Sequence, residues 1–383
     1  MTRHRVCVLP GDGIGPQVTD AVLPLFDALQ LPIDLEFAEI GWECWRRDGD
    51  PVPTRTWAQI AAADATLLGA ITSQPLHEAE AQLPEHLRGQ GLNYVSPVIQ
   101  LRQQLGLYAN VRPVTDVLGD DRFRFTVIRE NTEGLYAGLD YGRVPAELEP
   151  LLQQRELHGA PWTRNGPDDA CVALRLQTRN GLTRLFHFAF EHARQQGFDR
   201  VTLADKPNVL RHSGAFAKGI FDEVALHYPE LEAKIDNVDA VALWMIRRPE
   251  RFGVVVAENM FGDILSDLGA GVMGGLGLAP SANFGSKAAY FEPVHGSAPR
   301  YVGRNVANPS AMFLSVALLL DHLGYSDQAH AIQRAVTQVA RRVCQTPDLG
   351  GSASTGQVAT AIIERSLANS LASRTLYPVG SPS

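Results

Sequence analysis

Short apolar runs that alternate with amphipathic helical patterns constrain this chain more than any other feature. The runs at 5–9 (RVCVL), 65–68, 125–128, 200–203 (RVTL) and 253–257 (GVVVA) each read as a strand. Between them, 17–30 has helical spacing, with Val18, Val22, Leu25, Phe26 and Leu29 apolar. The same holds for 182–196, where Leu182, Leu185, Phe186, Ala189, Phe190 and Ala193 share a side and Gly197 stands at the C-cap. GVVVA is too apolar for a sheet with one wet face, so it belongs to a sheet covered by helices on both sides. The expected fold class is therefore α/β with a large, mostly parallel sheet. The segments 73–91 and 148–169 read as polar loops, and 373–383 as a frayed tail. No repeat and no obvious linker appears, which suggests domains that share a sheet.

At 383 residues the natural expectation is two domains. The net charge of −8 argues against nucleic acid as a main partner, so an anionic ligand must meet a local cluster of arginines. Cys7, Cys44, Cys171 and Cys344 are scattered and form no CxxC pattern, which suits a reducing cytoplasm. The start MTRHRVCVLPGDG lacks the apolar region of a secretion signal. No apolar run reaches the ~18 residues of a membrane span. The expectation is a cytoplasmic protein with no membrane partner.

Several motifs carry chemistry. In ENMFGDILSD, Asp263 and Asp267 lie four apart, on one face of a helix. Their like charges call for a partner. Mg²⁺ or Mn²⁺ would serve, being held by one or two carboxylates plus substrate and water oxygens. Aspartates that complement a helix dipole are the alternative. Asp239 is a third carboxylate, set in an apolar stretch. The loop Gly11–Gly15 (GDGIG) suggests a dinucleotide fingerprint or simply a tight strand-to-helix turn, because its spacing is not GxGxxG. A second loop, 292–299 (EPVHGSAP), has small residues that admit a phosphate or a ring, and His295 either meets an adenine or is a surface residue. Arg102, Arg112 and Arg129 stand at expected strand and loop junctions, where each can grip a carboxylate with two parallel bonds. Lys206 follows the strand RVTLA and so points into the crevice at a parallel sheet's C-terminal edge.

The order of LPGDGIGP, LRQQLGLYANVRP, RENTEGLYAG, DKPNVL, ENMFGDILSD, HGSAP with NVANP, and TPDLGGSAST resembles the β-decarboxylating dehydrogenases, the isocitrate/isopropylmalate dehydrogenase family. The resemblance runs from about Val6 to Ala361. It implies a two-domain fold that is not a true Rossmann domain. A cofactor domain would comprise 1–107 plus 273–383, and a substrate, metal and dimerisation domain 108–272. It implies that Arg102, Arg112 and Arg129 bind the malate carboxylates and that Asp239, Asp263 and Asp267 hold Mg²⁺ or Mn²⁺. Lys206 would assist proton removal from the C2 hydroxyl, and Tyr136 would protonate the enol. Lys206 and Asp239 would serve the neighbouring subunit's site, so a homodimer is implied. Ile14, His295, Gly296, Ser297, Ala298, Asn308 and Asp348 would bind the cofactor.

Arg300-Tyr301 follow HGSAP, and an arginine there suits a 2′-phosphate, which favours NADP over NAD. GGSAS, in place of further phosphate-binding residues, keeps NAD open. The third arm of the malate would be read by Ser96, Val98, Asn208 and Val209. An apolar wall of Val98, Ile99 and Val209 favours an alkyl arm, as in 3-isopropylmalate. Ser96 and Tyr94 keep isocitrate and homoisocitrate as alternatives. A non-catalytic regulatory subunit is disfavoured, because Lys206, Tyr136 and the three aspartates are all present.

Overall fold

The computed structural model describes residues 3–74, 76–156, 167–342 and 344–376. The strands are β1 (His4–Gly11), β2 (Ile33–Phe37), β3 (Ala65–Ala70), β4 (Ala109–Thr115), β5 (Arg124–Glu130), β6 (Asp140–Tyr141), β7 (Val172–Ala173), β8 (Arg200–Asp205), β9 (Glu232–Asn237), β10 (Val254–Ala257), β11 (Pro280–Phe284) and β12 (Ala289–Pro293). Ten of them form one sheet in the order β2-β1-β3-β12-β11-β4-β5-β10-β8-β9, while β6 and β7 make a separate ribbon. Among the described residues, six neighbouring pairs are parallel and three are antiparallel. The three antiparallel pairs are consecutive, β12–β11, β11–β4 and β4–β5. The sheet is thus two parallel blocks joined by an antiparallel centre. This order is unlike the doubly wound dinucleotide fold.

Every residue of β3 and β10 is buried, as strands covered on both faces must be. The edge strand β9 (EAKIDN) carries charged side chains that disfavour pairing with another chain. The strands of 1–107 and 273–383 lie on one side of the β11–β4 pairing, and those of 108–272 on the other. The main apolar core runs across this seam, from Val6 and Phe291 to Phe186 and Val254.

Two loop expectations need correction. Within 73–91 a short helix, Leu76–Ala81, precedes a single turn at Glu85–Leu87. Together they close a small core of Trp42, Trp45, Ala79, Leu83 and Tyr94. Trp45 Nε1 donates to the Ala79 carbonyl at 2.8 Å, and Trp42 Nε1 to Gln82 Oε1 at 3.0 Å. The polar composition hid this, because within the segment Ala79 and Leu83 are buried in this core with Leu87 packed against it, and their tryptophan partners lie far upstream. Part of 148–169 is helical too, at Glu149–Glu156, and 157–166 falls outside the described residues. Residues 373–376 of the expected tail belong to the last helix, Thr355–Leu376, and 377–383 falls outside the described residues. No helix among the described residues is long and apolar enough to cross a membrane.

Candidate active site

The parallel strands β5, β10 and β8 place Arg129, Ala257 and Ala204 in register near their C-terminal ends. Beyond β10 the helix Asn259–Met273 starts, capped by the Glu258 carboxylate, which accepts the Phe261 N–H at 3.1 Å. Gly262 lets this helix lie on β5, since a Cβ there would fall 2.7 Å from Arg129 Cβ. Asp263 and Asp267 sit one turn apart, facing the arginines of β4 and β5. Arg112 Nη1 reaches Asp267 Oδ1 at 3.0 Å and Asp263 Oδ1 at 3.8 Å, and Arg129 Nη1 pairs with Asp263. The like charges on the helix are therefore partnered by guanidinium groups. Burial raises the Asp267 pKa, Arg112 opposes the shift, and the Asp263 charge adds to it.

Arg112 lies within β4 and Arg129 within β5, and Arg102 lies in the helix Pro97–Gln104, not at the junctions expected. Burial, reinforced by Arg102 and Arg112, works against the Arg129 charge. Burial also works against Arg102, but Tyr290 and Glu292 more than offset it. The three guanidinium groups share their charge with Glu292, Asp267 and Asp263, and their fork geometry suits them to grip an anionic ligand as well. Tyr136 stands at the rim of this cluster, half exposed, with its hydroxyl 3.3 Å from Asp263 Oδ2 and its ring beside the Arg129 guanidinium. Burial and then the Asp263 charge raise its pKa, so the phenol keeps its proton and can act as a donor.

Beneath the arginines is a polar floor. Tyr290, Asn283, Asn110 and Arg129 form one rung across β12, β11, β4 and β5. Two residues along, Glu292 pairs with Ser281, and Arg112 follows Asn110 on the same face. Arg102 donates to Tyr290 Oη at 3.3 Å and to Glu292 Oε1 at 3.4 Å, and Arg129 Nε donates to Asn259 Oδ1 at 2.9 Å. Sequence reasoning had assigned no role to Asn110, Asn259, Asn283, Tyr290 or Glu292. Asn110, Asn259 and Glu292 lie inside the quoted motifs, which is the available signal.

Lys206, just past β8, pairs with the exposed Asp239 at the start of the helix Val238–Arg247, and this hydrogen bond lowers the Asp239 pKa. Among the described residues no three His, Cys, Asp or Glu side chains are grouped to hold a metal ion. Asp239 therefore does not join Asp263 and Asp267 within one chain. Asp263 and Asp267 alone still offer the one or two carboxylates that a hard cation takes from protein beside substrate oxygens, so the donor set fits Mg²⁺ or Mn²⁺. The expected apolar wall is not closed within one chain either. Val98 packs into the core, whereas Ile99 and Val209 are exposed, as is Asn208. Ser96 Oγ lies 3.1 Å from Ser73 Oγ, and Tyr94 Oη donates to the Thr72 carbonyl at 2.7 Å.

The two glycine-rich loops pack on each other. The Ile14 N–H donates to the Ser297 carbonyl at 2.9 Å, and a Cβ on Gly13 would lie 2.1 Å from that oxygen. Asp12 joins them to the rest, accepting the Trp42 N–H at 2.7 Å and the Thr72 N–H at 2.8 Å, and burial pushes its pKa up to about 6. In the second loop the His295 Nε2 is buried without a partner among the described residues. A Cβ at Gly296 would meet nothing nearer than the Ile71 carbonyl at 3.9 Å, and Ala298 is left-handed. Asn308 Nδ2 donates to Asp348 Oδ2 at 3.1 Å. Arg300 and Tyr301 are exposed on the single turn Pro299–Tyr301. An orphaned ring nitrogen beside open space fits the adenosine part of a nicotinamide cofactor.

Residues 5–364 match the family model described as isocitrate/isopropylmalate dehydrogenase. The chain is 56% identical over 364 residues to Protein DlpA of Legionella pneumophila, covering 94% of this chain and 58% of that protein's length. It is 37% identical over 366 residues to a 3-isopropylmalate dehydrogenase of Methanothermobacter thermautotrophicus, covering 94% and 98% of the two chains. The solved isocitrate dehydrogenase of Methylococcus capsulatus superposes with a TM-score of 0.80 at 36% identity, covering 95% of this chain and 99% of that one.

Proposed function

Because this chain belongs to the isocitrate/isopropylmalate dehydrogenase family, we propose that it oxidises and decarboxylates a 3-substituted malate, using NADP or NAD and Mg²⁺ or Mn²⁺. The observation that carries this reading is the convergence of Arg112, Arg129, Asp263, Asp267 and Tyr136 over one patch of the sheet. Arg102, Arg112 and Arg129 bind and orient the carboxylates, which supplies alignment as well as affinity. Asp263 and Asp267, with Asp239 of a second subunit, would hold the cation. A bound divalent cation supplies Lewis-acid polarisation of the C2 oxygen, and a bound nicotinamide supplies the hydride acceptor. Lys206 of the second subunit takes the C2 hydroxyl proton. Tyr136 gives its proton to C3 once the carboxylate there has left as CO₂.

A homodimer with shared sites is part of this reading. Leu243 and Ile246 on the helix Val238–Arg247, and Ile264 on the helix Asn259–Met273, are more than half exposed. Apolar side chains beside the catalytic groups suit a two-fold contact. In the same reading, 1–107 plus 273–383 carries the cofactor and 108–272 the substrate and metal.

We propose 3-isopropylmalate or a similar alkyl-malate as substrate. In support, Ser96 and the first turn after it, with Val98, offer no cation to a third carboxylate. The Ser73–Ser96 hydroxyl pair favours isocitrate or homoisocitrate as the second reading. The test is initial rates of NAD⁺ and NADP⁺ reduction with Mg²⁺ or Mn²⁺ on isopropylmalate, isocitrate, homoisocitrate and tartrate. Metal-dependent turnover of isopropylmalate is expected, and metal-independent or absent turnover on all four sinks the proposal. The exposed Arg300 supports NADP, because a free guanidinium can grip a 2′-phosphate. Arg300→Asp is then expected to lower the NADP⁺ to NAD⁺ ratio of kcat/KM about tenfold or more. An unchanged ratio removes that assignment.

A further inference from the structure

We propose that Asn110, locked by Ser281 and Asn283, is a positioning residue that aims Arg112 at the substrate without adding a further carboxylate to the two, Asp263 and Asp267, that already face it. The inference rests on the proposed malate site and adds to it a device beneath the arginines.

Asn110 and Asn283 are fully buried, and Arg112 nearly so. Arg112 Nε donates to Asn110 Oδ1 at 2.9 Å, and its Nη1 donates to Ser266 Oγ at 2.7 Å and Asp267 Oδ1 at 3.0 Å. Its Nη2 has no hydrogen-bond partner among the described residues and remains for a ligand. A buried guanidinium needs acceptors to hold it in one plane. A carboxylate behind Nε would provide that, but it would offset further a charge that Asp267 and Asp263 already share. An amide oxygen provides the direction without that further offset.

The amide is held in one orientation. Asn110 Nδ2 gives its hydrogens to Ser281 Oγ at 2.9 Å and Asn283 Oδ1 at 2.6 Å. Flipping the amide would set Nδ2 against the Arg112 Nε donor and Oδ1 against the Asn283 Oδ1 acceptor, two repulsive contacts in a dry environment. Asn283 is itself fixed, accepting from Asn131 Nδ2 at 2.9 Å and donating to Glu292 Oε1 at 3.1 Å. Glu292 also takes the Tyr290 hydroxyl at 2.8 Å and Arg102 Nη2 at 3.4 Å. A continuous chain of buried side chains therefore joins Arg112 to Arg102. The separation of two carboxylate grips is set by the sheet rather than by flexible arginine stems.

The experiment compares wild type with Asn110→Ala, Asn110→Asp and Ser281→Ala as full-length holoenzyme. It reads KM for the malate substrate, KM for the cofactor, kcat and melting temperature. Asn110→Ala and Asn110→Asp are each expected to raise the malate KM about tenfold or more, with kcat changed less and the cofactor KM unmoved. Ser281→Ala removes only one acceptor of the lock, so it is expected to fold and to raise the malate KM about threefold. If neither Asn110 variant folds, Ser281→Ala decides. A lowered melting temperature with an unmoved malate KM in the folded variants overturns the proposal and leaves Asn110 a purely structural residue. Equal rises in both KM values overturn it as well. A wild-type chain that turns over no malate removes the underlying reading and this inference with it, whereas active wild type with unaltered variants removes this inference alone.

Discussion

Asp263→Asn is expected to lower kcat/KM by about a thousandfold, because it removes one of the two facing carboxylates offered to the cation and an interaction of this kind contributes several kcal/mol to the transition state. Asp263 also meets Arg112, Arg129 and Tyr136, so the change acts on the whole cluster. Asparagine keeps the shape and leaves Asp267 on Arg112. The fold is therefore expected to survive, with some loss of stability from the less well paired Arg129. The measurement is kcat/KM across a Mn²⁺ titration, with Mn²⁺ affinity read separately by equilibrium binding. A variant within tenfold of wild type, binding Mn²⁺ equally well, would remove Asp263 from the proposed metal site.

The second large effect concerns subunit sharing. Tyr136→Phe and Lys206→Met are each expected to abolish turnover when alone. Unfolded together and refolded as a mixture, they are expected to recover about a quarter of wild-type activity. Random pairing makes half of the dimers mixed, and each mixed dimer has one site with both groups intact. The reason is geometric. Tyr136 is bonded to Asp263, whereas Lys206 is bonded to Asp239, and the two clusters are not joined into a metal-binding group within one chain. No recovery from refolded, dimeric mixtures would mean that each chain completes its own site.

Much of the architecture was legible because it depends on neighbours in sequence. β1, β3, β5, β8 and β10 appear where the apolar runs stand, and the helices Gly15–Leu29 and Arg179–Gln195 follow their periodicity. β9 and β2 carried no such signal, since edge strands need only partial burial. The helix Leu76–Ala81 was hidden for a related reason. Its buried residues are few, and their meaning depends on Trp42 and Trp45.

The candidate site divides in the same way. Spacing alone placed Asp263 and Asp267 on one helix face, and strand-end logic placed Lys206 at the sheet's edge. In the GDGIG loop the spacing did not show that Gly11 and Gly13 pack against the Ala70 and Ser297 carbonyls. The apolar wall is not closed within one chain, because side-chain character says nothing of direction. Val98 turns inward, while Val209 stays exposed.

By itself the sequence determined the fold class, the order of the motifs and the residue types offered to a ligand, because local periodicity and residue type suffice for these. Only the tertiary structure decided that Asn110 meets Asn283, that Glu292 reaches Arg102 and that Asp239 stands apart from Asp263. The Asn110–Asn283 contact and the place of Glu292 depend on the register of strands distant in sequence, where a shift of one residue would turn each strand side chain to the opposite face.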